Sequence, residues 1–341
     1  MQLDAATLDD ILKGTSRAFY LSLAVLPPGA RAPLSLAYLL ARAADTIADA
    51  PARPGLDRRE LLESFRLTIA ERSRTRWQAA APQLSLVQSP NPKEQQLIGS
   101  LESLLSLLDQ RSEVEQQAIR QVVSTLVEGM LWDQQLFEPD DGSLHADRGL
   151  DDPELERYTY LVAGCVGPFW SRVCSLGEPN LASLGSDQHD GTAVEFGKGL
   201  QWVNILRDIP RDQESGRYYL PALSSENFRE RFLRQSRRAL SALSQAQAYP
   251  FLFPNRYLRH RMAVFWMLVL AYRTLEKLFR HGGARQLGER VKVPRWEVLA
   301  WVALSPLLVL NDRLLNALLT RLSRRADVAL MILEERYEKK P

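Results

Sequence analysis

Cysteine and histidine are scarce in this chain, with two of the first and four of the second in 341 residues. Cys165 and Cys174 form no CxxC pattern and the histidines are scattered, which argues against a zinc site or a disulfide framework. Both thiols are expected to be small core residues in a reducing compartment. An excess of either charge is also missing: 43 basic residues face 41 acidic ones, for a net charge of +2, so no nucleic-acid partner is expected. The opening "MQLDAATLDD" lacks the basic-then-apolar form of a secretory leader, and a cytoplasmic protein is expected. Long apolar runs are absent too. The two longest, 262–272 and 298–310, fall short of the ~20 residues that span a bilayer and suit a core or an interfacial position.

Hydrophobic residues make up 45% of the chain and charged ones 25%, enough to bury a large core. Apolar residues recur every three or four positions, as in Leu34, Ala37, Tyr38, Ala41 and Ala44, or Leu97, Leu101, Leu104, Leu105 and Leu108. Strand-like alternation, βαβ order and internal repeats are lacking, so the spacing predicts an all-α protein. Turn chemistry interrupts the helices at 49–55, 88–96, 138–154, 176–191, 214–227 and 280–288, but no break has the length or composition of a linker. One domain over 1–341 is expected, its bundle completed by C-terminal helices from about 290 onward. The basic run "RERFLRQSRR" (229–238) reads as a solvated helix face.

Against this background two carboxylate pairs stand out. Asp45 and Asp49, and again Asp208 and Asp212, sit four residues apart at the ends of apolar helical stretches. Residues i and i+4 share a helix face, where like charges repel, and aspartate is itself a poor helix former. A single DxxxD is weak evidence. Two copies, each with an arginine close by (Arg42 and Arg207), ask for a common cation-based explanation. Mg2+ suits such carboxylates, because it takes hard oxygen ligands and shares them with substrate phosphates. The arginines suit phosphate oxygens, which points to a diphosphate ester. Walker A and GxGxxG fingerprints are absent, which disfavours kinase, GTPase and dinucleotide folds.

Four ordered segments, "SRAFYLSL" (16–23), "ARAADTIAD" (41–49), "YTYLVAGCVG" (158–167) and "GLQWVNILRDIPRDQESGRYYLP" (199–221), resemble the diagnostic segments of the squalene/phytoene synthase family. The resemblance implies an isoprenoid-synthase helical bundle around a large central cavity, and head-to-head joining of two prenyl diphosphates through a cyclopropylcarbinyl diphosphate. It implies Asp45, Asp49, Asp208, Asp212 and Asn204 as metal ligands for Mg2+, or alternatively Mn2+. Tyr158 is implied as a catalytic tyrosine that assists proton transfer or steadies the carbocation. Ser16, Arg17, Phe19, Arg42, Gln201, Asn204, Arg207 and Arg217 are implied to contact substrate and diphosphate.

The stretch 273–302 is similar to the squalene synthase segment whose basic residues hold NADPH phosphates, which implies Lys292 and Arg295, with Arg17, Arg42 and Arg207, as the site of NADPH or NADH. Farnesyl diphosphate is then the expected substrate, and squalene the expected product by way of presqualene diphosphate. Products that skip the reduction, namely presqualene diphosphate, dehydrosqualene or phytoene, are the alternative. The chain departs from the family pattern at Ala48 and Arg211, where an acidic residue often stands, and the ending "ERYEKKP" leads to the expectation of no hydrophobic C-terminal anchor. A soluble, bacterial-type monomer with peripheral contact at the inner membrane surface is the resulting expectation.

Overall fold

A computed structural model describes residues 4–137, 146–176, 178–282 and 291–339, apart from the side chains of Arg17 and Ala18. Among these residues every regular element is helical. In chain order they are α1 (Ala5–Val25), α2 (Pro28–Ala48), α3 (Arg58–Glu71), α4 (Thr75–Ala80), α5 (Pro92–Gly99), α6 (Leu101–Asp109), α7 (Glu113–Phe137), α8 (Asp152–Thr159), α9 (Val166–Ser175), α10 (Asp190–Glu214), α11 (Phe228–Ala246), α12 (Leu258–Arg280), α13 (Arg295–Leu308) and α14 (Asp312–Glu338). The helix starts follow from local chemistry. Asp4, Asp57, Asn91 and Asn311 each accept a backbone N–H of the first turn, and Asp151 with Glu154 completes a reciprocal capping box. Pro28 and Pro92 open their helices, where the missing N–H costs nothing.

The chain divides into two compact units, Met1–Glu138 with Phe169–Gly185, and Pro139–Pro168 with Ser186–Pro341. In the first, α2 is the central element, packed by α1, α3, α5, α6 and α7. Its buried residues Leu36, Leu39, Leu40, Ala43, Ala44 and Ile47 cover most of its circumference, which leaves its C-terminal end as the place where polar side chains emerge. In the second, α10 packs on α11 and α12, and α12 in turn on α13 and α14. The apolar run 262–272 lies in this core, with Val264, Phe265, Leu268, Val269 and Tyr272 fully buried.

The basic run 229–238 does more than face solvent. Arg231, Arg234 and Arg238 converge on Asp152 at the start of α8, and Gln235 donates to the same carboxylate at 2.8 Å. Burial opposes the charge on Asp152, but Gln235 and the arginines hold its pKa below the usual carboxylate range. Both cysteines are free, one in each unit. Burial pushes the Cys165 thiol up to about 12 and the Cys174 thiol further still.

Candidate active site

The first aspartate motif closes α2. Asp49 is its C-terminal cap, its N–H donating to the Asp45 carbonyl at 2.9 Å. Two carboxylates at the negative end of a helix dipole are unfavourable unless cations answer them. Arg42 supplies one cation within the helix. Its guanidinium donates to Asp45 and, at 2.6 Å, to Glu94 on α5. Glu94 in turn accepts from the Ser89 hydroxyl at 2.5 Å and the Asn91 amide at 3.2 Å. Burial works against the charge on both partners. Asp45 and Glu94 nevertheless raise the Arg42 pKa, and Ser89 with Arg42 lowers that of Glu94.

One turn earlier on α2, the Tyr38 hydroxyl donates to the Thr15 carbonyl at 2.9 Å, and burial pushes its pKa up to about 12. The Tyr38 ring lies 5.3 Å from that of Phe19, which also meets Trp170 edge-on at 6.1 Å. Phe19 therefore belongs to an aromatic cluster. Ser16 is buried and its hydroxyl donates back to the Leu12 carbonyl of its own helix, while the Arg17 side chain lies outside the described residues. On α7, Asp133 and Gln134 are buried, and the Gln134 amide reaches the Ala48 carbonyl at 3.5 Å, next to Asp49.

The second motif lies in the last turns of α10. Gln201, Asn204, Asp208 and Asp212 follow one another at three- and four-residue steps along one helix face. Asn204 donates to Gln201 at 3.2 Å. Arg207 grips the neighbouring Asp208 through two hydrogen bonds, Nε to Oδ1 at 2.9 Å and Nη2 to Oδ2, and both side chains are largely buried. Beyond the helix, Gly216 turns the chain in the left-handed region at φ 79°, so that the Arg217 N–H returns to the Asp212 carbonyl at 2.8 Å. Gln213 fixes the rest of this loop by donating to the Pro221 carbonyl at 2.9 Å and accepting the Leu223 N–H at 3.1 Å.

The loop so held presents Tyr219 to Tyr158. The two rings stack with centroids 4.7 Å apart, and the Tyr158 hydroxyl donates to that of Tyr219 at 2.8 Å. Tyr158 is followed directly by an irregular turn, a π-helix over Tyr160–Gly164 in which the Cys165 N–H reaches back to the Tyr160 carbonyl at 2.9 Å. Such π-turns occur often at functional sites. Glycines let α10 lie directly on it: a Cβ on Gly197 would come 2.2 Å from the Ala163 carbonyl oxygen, and one on Gly167 1.8 Å from that of Ala193. An ion pair adds a tie, as Lys198 donates to Glu156 on α8 and to Glu195 at 3.0 Å. Tyr158 and the α10 face are thus positioned by the same contacts.

Each sequence-expected group is thereby brought together within its own unit: Arg42, Asp45 and Asp49 with Phe19 nearby in one, and Gln201, Asn204, Arg207, Asp208, Asp212 and Arg217 along one helix and its returning loop in the other. Lys292 and Arg295 are exposed at the start of α13, beyond a stretch, 283–290, outside the described residues. Sequence reasoning missed Glu94, Gln134 and Tyr219. Tyr219 stood inside a quoted motif, and the adjacent Asp133 and Gln134 are polar residues in an otherwise apolar helical pattern, signals that could have found them.

Among the described residues no three His, Cys, Asp or Glu side chains gather into a complete metal cage. The donor chemistry still fits a hard divalent ion. Mg2+ is usually held by one or two carboxylates plus substrate phosphates, and each motif offers two carboxylates already balanced by an arginine.

The family model described as squalene/phytoene synthase matches residues 12–297. The chain is 31% identical over 219 residues to a bifunctional lycopene cyclase/phytoene synthase of Blakeslea trispora, covering 62% of this chain and 32% of that protein. To the squalene synthase of Schizosaccharomyces pombe it is 28% identical, over 62% of this chain and 43% of the relative, and to the phytoene synthase of Thermus thermophilus 29%, over 43% and 51%. The matches therefore span about a third to a half of these curated relatives. Among solved structures, TcSQS in complex with the ligand E5700 superimposes with a TM-score of 0.68 at 18% identity, covering 96% of this chain and 98% of that one, which establishes the all-α fold.

Proposed function

Because this chain belongs to the squalene/phytoene synthase family, we propose that it joins two molecules of farnesyl diphosphate head to head into presqualene diphosphate and then converts that intermediate to squalene with NADPH. The observation that carries the reading is the pair of aspartate motifs, each closed by an arginine of the same helix. Asp45 and Asp49 on one helix, and Asp208, Asp212 and Asn204 on the other, would hold Mg2+ (or Mn2+) against the substrate diphosphates. The ions supply charge neutralisation as each diphosphate leaves.

The protein's own part follows from the side chains. Arg42, which Glu94 also holds, and Arg207 would offer their guanidinium forks to phosphate oxygens, with Gln201 on α10 and Arg217 on its returning loop. Phe19, with its aromatic neighbours, offers an apolar, π-faced wall that excludes water from a carbocation. The Tyr158 hydroxyl, which donates to Tyr219, would move a proton or steady positive charge. A farnesyl chain, at about 0.8 kcal/mol per buried CH2, provides the binding energy that orients both substrates.

Lys292, Arg295, Arg17, Arg42 and Arg207 are the residues proposed to hold the phosphates of NADPH, which when bound would supply the hydride for the reductive stage. Phytoene synthases stand among the relatives beside squalene synthases, so the competing reading is a synthase that releases an unreduced product. Incubating the protein with farnesyl diphosphate and Mg2+, with and without NADPH, and weighing the lipids by mass spectrometry separates the two. Squalene formed only with NADPH is the expected result. An unreduced hydrocarbon or presqualene diphosphate in both samples removes the reductive half, and no diphosphate release removes the whole.

A further inference from the structure

Helix α13 is apolar toward solvent as well as toward the core, where Trp301 meets Phe265 edge-on at 6.4 Å. Trp296, Leu299, Leu304 and Leu307 are 71, 65, 51 and 70% exposed, and the apolar surface continues through Leu310 into Leu314 on α14. Between Arg295 and Asn311 the sole charged residue is Glu297, and it is turned inward, where it accepts from Arg273. Ser305 is buried as well. A surface helix ordinarily shows the opposite arrangement, and a contiguous exposed apolar face of this kind marks a binding surface.

The ends of the face carry positive charge. Lys292 and Arg295 are exposed where α13 begins, and Arg313 where α14 begins. Exposed Arg256 and Arg259 belong to the same end as Arg313, because Arg261, just after them, pairs with Asp312 at 2.5 Å. The two acidic residues of the region, Glu297 and Asp312, are thus each answered by an arginine, Arg273 and Arg261. A second copy of the chain, related by a two-fold axis, would set one basic rim against another. An anionic lipid surface complements both rims at once, and a tryptophan beside a cationic residue is a typical anchor at the headgroup level. At 14 residues α13 is too short to cross a bilayer and suits lying in its plane.

We propose that α13 and the first turn of α14 dock this protein on an anionic lipid bilayer, with Trp296, Leu299 and Leu307 entering the headgroup layer and the flanking lysine and arginines meeting acidic headgroups. The docking does not depend on the catalytic reading, and its test reads binding rather than turnover. The full chain is floated with vesicles of phosphatidylcholine alone or mixed with phosphatidylglycerol, at low and high salt.

Binding to the mixed vesicles, weakened by salt and reduced about tenfold or more in Leu299→Glu/Leu307→Glu, is expected. Both positions are exposed, so circular dichroism and the melting temperature should stay unchanged. Should that variant fail to fold, Arg295→Glu/Arg313→Glu serves instead and is expected to lose preference for the acidic lipid. Protein that stays with the unbound fraction, binds both vesicles equally, or binds undiminished in the variants overturns the proposal. So does a stable dimer that the Leu299/Leu307 variant dissociates, since a second copy would then cover the face.

Discussion

Asp45 and Asp208 each lie against an arginine of their own helix, so replacing either one removes a proposed metal ligand together with a partner of that arginine. Asp45→Ala and Asp208→Ala are expected to lower diphosphate release at saturating substrate by at least about a hundredfold, since metal stabilisation of developing charge is worth several kcal/mol. A pyrophosphate-release assay checks this, with the melting temperature as control. Glu94 makes a separate prediction about pH. Its pKa is lowered in the folded state, so its contribution to stability is present above the ordinary carboxylate pKa and is lost as pH falls through the folded value. In Glu94→Gln, thermal melts from pH 7 down to pH 3 should show a shallower acid decline than in the parent. The aspartates were legible in the sequence because two i, i+4 pairs contradict helix preference in apolar surroundings. Glu94 was not, since Arg42 finds it at a separation of 52 residues; Tyr219 lies inside the 199–221 motif, but its pairing with Tyr158, 61 residues away, was beyond the reach of local patterning.

At the scale of elements, the contact between α10 and the π-turn depends on glycine. A Cβ at Gly197 would meet backbone atoms of Ala163 and Gly164, which cannot turn aside as a side chain can. Gly197→Ala is therefore expected to lower stability by about 1–3 kcal/mol, read from denaturant unfolding, and to reduce turnover by displacing Asn204 and Asp208. Helical periodicity announced the long helices, including the apolar run inside α12. It gave no hint of the π-turn, because a single extra residue in a helix barely disturbs a period of 3.6. Nor could it separate the runs 262–272 and 298–310, which look equally apolar in sequence. The difference comes from packing: α12 is surrounded by α10, α11, α13 and α14, whereas α13 shares its inward side with α12 and leaves the other uncovered.

For the whole molecule, the all-α expectation is met by the fold, and among the described residues no helix is long and apolar enough to cross a membrane. The expectation of one domain concerns cooperativity, which equilibrium unfolding can read. A single-domain chain should lose helicity and tertiary fluorescence in one coincident transition, while two separate steps would show that the compact units melt independently. The two thiols make that question answerable residue by residue. Burial holds both thiols away from their reactive thiolate form, Cys174 fully and Cys165 in part, so opening of the surroundings should speed alkylation at each. With Cys174 in one unit and Cys165 in the other, the chain carries an internal clock in each half. Peptide mapping after timed alkylation would give two opening rates from one native sample: equal rates would mean that the halves breathe together, and unequal rates would identify the half that yields first.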